Sequence, residues 1–283
     1  MPHLNIVFIG HVDAGKSTLC GNTLYHTGMV DARKIQECKN EAKKNKMEGW
    51  FAAYLMDTDK DERARGKTVT VARAWFHTAK KRYTMLDCPG HRNYVPNLVP
   101  AVAQADVAVL VISARGDEFE KGIGKDNNKS EHSHTGQTRE HVIIARSLGV
   151  SRFVVVISKM DDSTCNWAES RFKKIKDKLS TFFKSLRISK NAVHFMPISG
   201  LSGAGINQPV PAKWYTGPTL CGHLDELPEL RDGTAKALCL PVLDIFKDPE
   251  GNSQVVITKV EEGTANTGDV LYIHPVPGTC KVT

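Results

Sequence analysis

The run Gly10-His11-Val12-Asp13-Ala14-Gly15-Lys16-Ser17 constrains the chain more than any other stretch, because it fits the phosphate-binding loop pattern of two glycines followed by Lys-Ser. The apolar run from Leu4 to Ile9 predicts a buried strand before it, and Ser17 to Tyr25 predicts a helix after it. Gly10 and Gly15 permit backbone angles that a side chain forbids, so successive N–H groups can converge on phosphate oxygens. The helix start adds unsatisfied N–H groups and a partial positive charge, both of which favour an anion. Lys16 is placed to reach the β and γ phosphates, and Ser17 to offer its hydroxyl to Mg2+.

Three further short motifs follow in order. Val69 to Phe76 and Arg82 to Leu86 predict two strands that pair as a hairpin, and the second ends on Asp87-Cys88-Pro89-Gly90. An acid at a strand end followed by a glycine hinge is a second phosphate-side element: Asp87 holds Mg2+ and Gly90 donates its N–H to a γ-phosphate. Val107 to Ser113 and Phe153 to Ser158 predict parallel strands buried on both faces, with a helix from Thr138 to Leu148 between them. After the later strand comes Lys159-Met160-Asp161. The Asp161 carboxylate can accept both N–H donors of guanine, a pair adenine lacks, while the stem of Lys159 covers the base. The strand Val193 to Pro197 leads into Ser199-Gly200-Leu201, whose backbone N–H groups are expected at the guanine oxygen. Four motifs at successive strand ends predict an α/β domain with a mixed, mostly parallel sheet, binding and hydrolysing GTP.

Elsewhere the chain is less specific. Asp31 to Trp50, with Lys34, Lys39, Lys43, Lys44 and Lys46, predicts an exposed basic helix running into a mobile loop. Asp57 to Thr68 predicts a loop or short helix. Lys125 to Thr135 predicts a disordered surface loop. Cys165 to Leu186 predicts a long basic helix, and His223 to Leu227 a short one. Pro228 to Gly233 reads as a linker, which divides the chain into a nucleotide-binding domain over residues 1–231 and a second domain over 232–283. In the latter, short strands at 238–246, 254–261 and 270–274 predict the start of an all-β barrel. Too few strands precede Thr283 to close one, and the expectation is a fragment of a longer protein.

With 41% hydrophobic and 24% charged residues, the balance is that of a soluble globular protein. No apolar run reaches the roughly 20 residues of a membrane span, and the N-terminus lacks a signal peptide's features, which points to the cytoplasm and to no membrane partner. The 7 cysteines are scattered, excluding a disulfide framework and a Cys-x-x-Cys zinc site. The formal net charge of +7 suits a nucleic-acid surface but also arises from solvated helix faces.

These runs resemble the translational GTPases of the elongation factor one-alpha group over nearly the whole chain, and within it the eukaryotic release factor three family. Gly10 to Thr18, Asp87-Cys88-Pro89-Gly90-His91, Asp57-Thr58, Glu62-Arg63, Gly66-Lys67-Thr68-Val69, Tyr94-Val95-Pro96-Asn97, Gln104 to Ala114, Lys159 to Asp162 with Asn166-Trp167, and His194-Phe195-Met196-Pro197 carry the likeness. Aminoacyl-tRNA carriers usually have Ile where Lys67 stands. The rescue GTPases that partner Pelota are the nearer competitor, and the tRNA carriers remain a third reading.

The resemblance implies that Asp13, Ala14, Gly15, Lys16, Ser17, Thr18 and Gly90 hold phosphate, that Ser17, Thr68 and Asp87 hold Mg2+, and that His91 orients the attacking water. It places Ser158, Lys159, Asp161, Ser199, Gly200 and Leu201 at the guanine. It implies GTP and GDP as ligands, a monomer, a class I release factor as partner, and activation by ribosomal RNA rather than by an arginine finger. Three departures carry expectations. Ser158 replaces the family's Asn, and the shorter side chain is expected to leave the bond to the phosphate loop unmade or bridged by water, with guanine selectivity retained and binding weakened. Pro100, in Leu98 to Val102, is expected to interrupt a helix there. The polar insertion around Asn127 is longer than is usual.

Overall fold

The computed structural model describes residues 1–45, 47–56, 68–124, 136–228, 236–247, 251, 254–275 and 278–283. The Asp57 to Lys67 stretch, the insertion at 125–135 and most of the expected linker lie outside the described residues. Two compact units are present, Met1–Leu227 and Pro228–Thr283.

The first unit is built on six strands: β1 (His3–Ile9), β2 (Ala72–His77), β3 (Arg82–Asp87), β4 (Val107–Ser113), β5 (Phe153–Ser158) and β6 (Val193–Pro197). They lie in the order β2-β3-β1-β4-β5-β6, with β2 antiparallel to β3 and every other pair parallel. Every residue of β4 and β5 is buried, as continuous Val/Ile runs demand when helices cover both faces. Each such side chain removed from water contributes about 1.5–3 kcal/mol. The parallel register aligns Phe8 with Asp87, Ile9 with Leu110, and Ser113 with Ser158. The carboxyl ends of β1, β3, β4 and β5 therefore form one edge, and the loops that leave them meet there.

The connecting helices are α1 (Lys16–His26), α2 (Ala32–Lys44), α3 (Ala53–Met56), α4 (Val95–Ala103), α5 (Gly116–Ile123), α6 (Gln137–Ser147), α7 (Glu169–Ser185) and α8 (Leu220–Glu226). Two expectations need correction. The segment after α2 is not a mobile loop: a 3-10 turn at Glu48–Trp50 leads into α3, and Tyr54 packs with Cys38 and Ala42 of α2 in a small core. The expected basic face of α2 is exposed at Lys34, Lys39, Lys43 and Lys44, while Cys38 and Ala42 are buried, and the Lys39 ammonium also lies 5.2 Å from the Phe51 ring centroid. Pro100 does not interrupt α4: it costs only the bond its missing N–H would give Pro96, while Leu98, Ala101 and Val102 are buried and hold the helix on the sheet. The basic helix begins at Glu169 because Asn166 and Trp167 adopt left-handed backbone angles, φ 39° and 55°, which no helix can continue through.

The second unit contains two antiparallel pairs, β7 (Val242–Lys247) with β8 (Gln254–Thr258) and β9 (Val270–Tyr272) with β10 (Thr279–Lys281). A further bridge joins Cys239 to Glu262. The pairing matches the start of a β domain. Among the described residues no helix is long and apolar enough to cross a membrane.

Candidate active site

The loops at the carboxyl edge enclose a cavity of about 640 Å³. All the sequence-predicted site residues line it except Ala14, Asp87 and Ser199, which are buried.

At one end the phosphate loop joins β1 to α1. Gly10 has φ 144°, and a Cβ there would lie 2.3 Å from the Val111 carbonyl oxygen, so strand packing and backbone angle both require glycine. Asp13 has φ 61°, a left-handed angle that Asp tolerates better than most residues. The buried Lys16 Nζ donates to the carbonyl oxygens of Gly10 and His11 at 3.2 and 2.9 Å. Burial pulls its pKa down, and the Asp87 carboxylate opposes that shift. Ser17 Oγ lies 3.1 Å from Thr68 Oγ1, so the two hydroxyls expected at a metal are already paired. With Asp87 at the end of β3 they form a set of hard oxygen donors of the kind Mg2+ prefers, and these residues fit that ion.

Gly90 crosses close over this loop. A Cβ at position 90 would sit 2.5 Å from Lys16 Nζ and 2.8 Å from Val12 N. His91 follows at the cavity wall, and its Nδ1 accepts the Asn93 N–H at 3.2 Å. Asn97 of α4 donates to the Val69 carbonyl at 2.8 Å, fixing the chain next to Thr68.

The end expected to take the base lies after β5. The structure overturns the expectation that Ser158 leaves the bond to the phosphate loop unmade or bridged by water: its Oγ reaches the Ala14 carbonyl directly, at 2.6 Å, with the Ile112 carbonyl at 3.1 Å. A short side chain suffices because Ala14 lies against the strand end, so the tie to the phosphate loop is made without water. Lys159 has φ 57° and donates to Glu118 Oε2 at 2.7 Å. Asp161 is exposed to the cavity. Gly200 and Leu201 line it too, but the Ser199 N–H is spent on the Ala204 carbonyl at 3.0 Å, and the Ser199 hydroxyl accepts from Ser202 N. Ser199 thus shapes the turn and sends no donor inward.

Several residues at the site carried no motif. Asn22, buried on α1, donates to the Gly200 carbonyl and holds the base loop; a lone Asn on an apolar helix face was its only signal. Trp50 and Ala53 line the cavity, as do Arg115, Glu118 and Asp162. The Asp162 carboxyl is held at about 2 by hydrogen bonds from Thr164 and then Arg115. His141 of α6, fully buried, accepts the Gly10 N–H at its Nδ1, 3.2 Å away, and burial depresses its pKa to about 3, so it stays neutral. With its amide turned so that donors meet acceptors, Gln137 donates to the Gly90 carbonyl at 3.1 Å and accepts from Arg92 N at 2.9 Å. Only folding reveals that α6 braces both phosphate-side loops.

A glycine loop feeding a buried lysine that a strand-end carboxylate opposes in charge, a pair of hydroxyls, and an aspartate at the far end of the same cavity define a P-loop domain that binds nucleoside triphosphates. Residues 1–248 match the family described as elongation factor Tu GTP binding domain. The chain belongs to that family and is a GTP-binding domain of the translational GTPases.

The eukaryotic peptide chain release factor GTP-binding subunit of Dictyostelium discoideum is 45% identical across 99% of this chain and 48% of its own length. That of Debaryomyces hansenii is 42% identical across 99% of this chain and 39% of its own. This chain therefore spans less than half the length of these relatives. A crystal structure of sup35 complexed with GDP covers 100% of this chain and 58% of its own, with 35% identity and a TM-score of 0.58.

Proposed function

We propose that this chain is the GTP-hydrolysing part of a translation-termination factor, which works as a cytoplasmic monomer, hydrolyses GTP with Mg2+ when a ribosome activates it, and couples that step to a class I release factor. The observation that carries the reading is one cavity lined by Lys16, the Ser17–Thr68 hydroxyl pair and Asp161. The release-factor names of the relatives favour termination over rescue or aminoacyl-tRNA delivery.

The residues divide the work. The loop N–H groups and Lys16 bind the phosphates, and Lys16 needs no reorganisation because carbonyls already hold it in place. Ser17, Thr68 and Asp87 would hold Mg2+, which supplies positive charge to the phosphate oxygens. Asp161 accepts the guanine donors. His91 accepts at Nδ1, so its neutral ring carries the proton on Nε2 and can orient a water by donating to it.

The test is GTP turnover with and without ribosomes plus a class I release factor. Slow basal turnover and strong stimulation are expected, with His91→Ala removing only the stimulated part. No guanine-nucleotide binding by calorimetry would end the reading. Capture of Pelota or aminoacyl-tRNA, in place of a release factor, by the full-length protein would move it to another branch of the family.

A further inference from the structure

We propose that Glu118, assisted by Arg115, is a positioning residue that sets Lys159 over the base end of the cavity, and that guanine-nucleotide retention depends on this charged belt. The proposal rests on the reading of the cavity as a guanine-nucleotide site. The base-recognition loop leaves β5 as a single excursion, Lys159 to Asp162, and the residues at both ends of it are tied to the start of α5. Glu118 Oε2 accepts from Lys159 Nζ at 2.7 Å, and Glu118 Oε1 accepts from the Arg115 guanidinium at 3.2 Å. Arg115 then reaches Asp162 Oδ2 through Nε at 2.7 Å and through its terminal nitrogen at 2.6 Å, a two-pronged contact on one carboxylate oxygen. Asp162 Oδ1 closes the loop on itself by accepting from Thr164 N and Oγ at 3.0 and 2.6 Å. Asp161, between these anchors, remains exposed to the cavity.

Such a belt is better suited to positioning than to stability. An isolated surface ion pair contributes about 0–1 kcal/mol, so the fold does not need it. A lysine stem, in contrast, has many rotamers, and restricting them before the base arrives removes an ordering cost from binding. The left-handed angle of Lys159 starts the stem in one direction, and Glu118 fixes where it ends. Burial would raise the Glu118 carboxyl, but hydrogen bonds from Lys159, Ser113 and Arg115 outweigh it and hold the carboxyl below its ordinary range, so it is charged at neutral pH. All four charged groups line the cavity.

The experiment is a double-mutant cycle read by the dissociation rate of a fluorescent GDP analogue. Glu118→Gln should speed release by about fivefold or more in the wild-type background, and by less than about twofold where Lys159→Met has already removed the ammonium. Arg115→Met should give a smaller increase, and the thermal midpoint of each nucleotide-free variant should stay near that of the parent. An unchanged rate in Glu118→Gln, or an equal increase in both backgrounds, overturns the proposal, because a merely structural carboxylate would act without regard to Lys159. If Glu118→Gln does not fold, the same cycle run with Arg115→Met decides by the same criterion. Failure of the parent protein to bind the analogue at all would instead refute the nucleotide site itself.

Discussion

The two ends of the cavity are built in opposite ways. The phosphate end comes from one contiguous stretch, Gly10 to Thr18, whose groups are mostly backbone and whose lysine is held by the carbonyls of Gly10 and His11. The base end comes from α5, the β5 loop and the turn at 200–201, joined by side chains far apart in sequence. One end is rigid because local geometry leaves few alternatives. The other is assembled only when helices α1 and α5 pack. Backbone donors recognise any triphosphate, whereas side-chain placement is needed to tell one base from another.

Substitutions at each end should separate these roles. Lys16→Ala has the largest effect: losing charge-assisted bonds to phosphate removes about 3 kcal/mol, a hundredfold or more in affinity for GDP and GTP alike, by calorimetry. The preference for guanine over adenine nucleotides should survive it. Asp161→Asn should do the reverse, weakening GDP by about tenfold or more and shifting preference toward xanthosine diphosphate, whose extra carbonyl accepts from an amide N–H, by competition binding. A guanine preference unchanged in Asp161→Asn would break the division between the two ends.

Ser158→Ala tests the tie between them. Removing the 2.6 Å bond to Ala14 should cost about 1 kcal/mol, read as roughly fivefold faster GDP release. The smallest effect is on pH. His141 titrates near 3 in the folded chain against 6.5 for an ordinary histidine, so the unfolded chain binds the extra proton first. Stability conferred by its neutral form is nearly complete above about pH 7 and declines as pH falls toward 3, by about 0.8 kcal/mol at pH 6 in urea titrations. His223, lowered to about 4, contributes in the same direction. Because His141 accepts the Gly10 N–H, acid should loosen the phosphate end first; stability that is flat from pH 7 to 5 would refute this.

How far the sequence could be read follows the same division. β4 and β5 are legible to the residue, since uninterrupted Val/Ile runs admit only a strand buried on both faces. Helix α5 carries no motif, and the brace from His141 and Gln137 depends on α6 lying against the phosphate loop. The reading of Ser158 failed because chain length alone suggested a gap that the packed strand end closes. Pro100 misled for a related reason: local helix cost was visible, the burial that outweighs it was not.

The succession of strands along the chain, the phosphate loop, the strand-end carboxylate at Asp87 and the carboxylate at Asp161 proposed to read the base were legible in the residues alone, because each depends on neighbours within a few positions. The charged belt through Arg115 and Glu118, the grip of Asn22 on the base loop and the pairing of Ser17 with Thr68 were decided by tertiary structure. They join groups tens to more than a hundred residues apart, and spacing along a chain holds no record of which side chains a folded sheet brings within 3 Å.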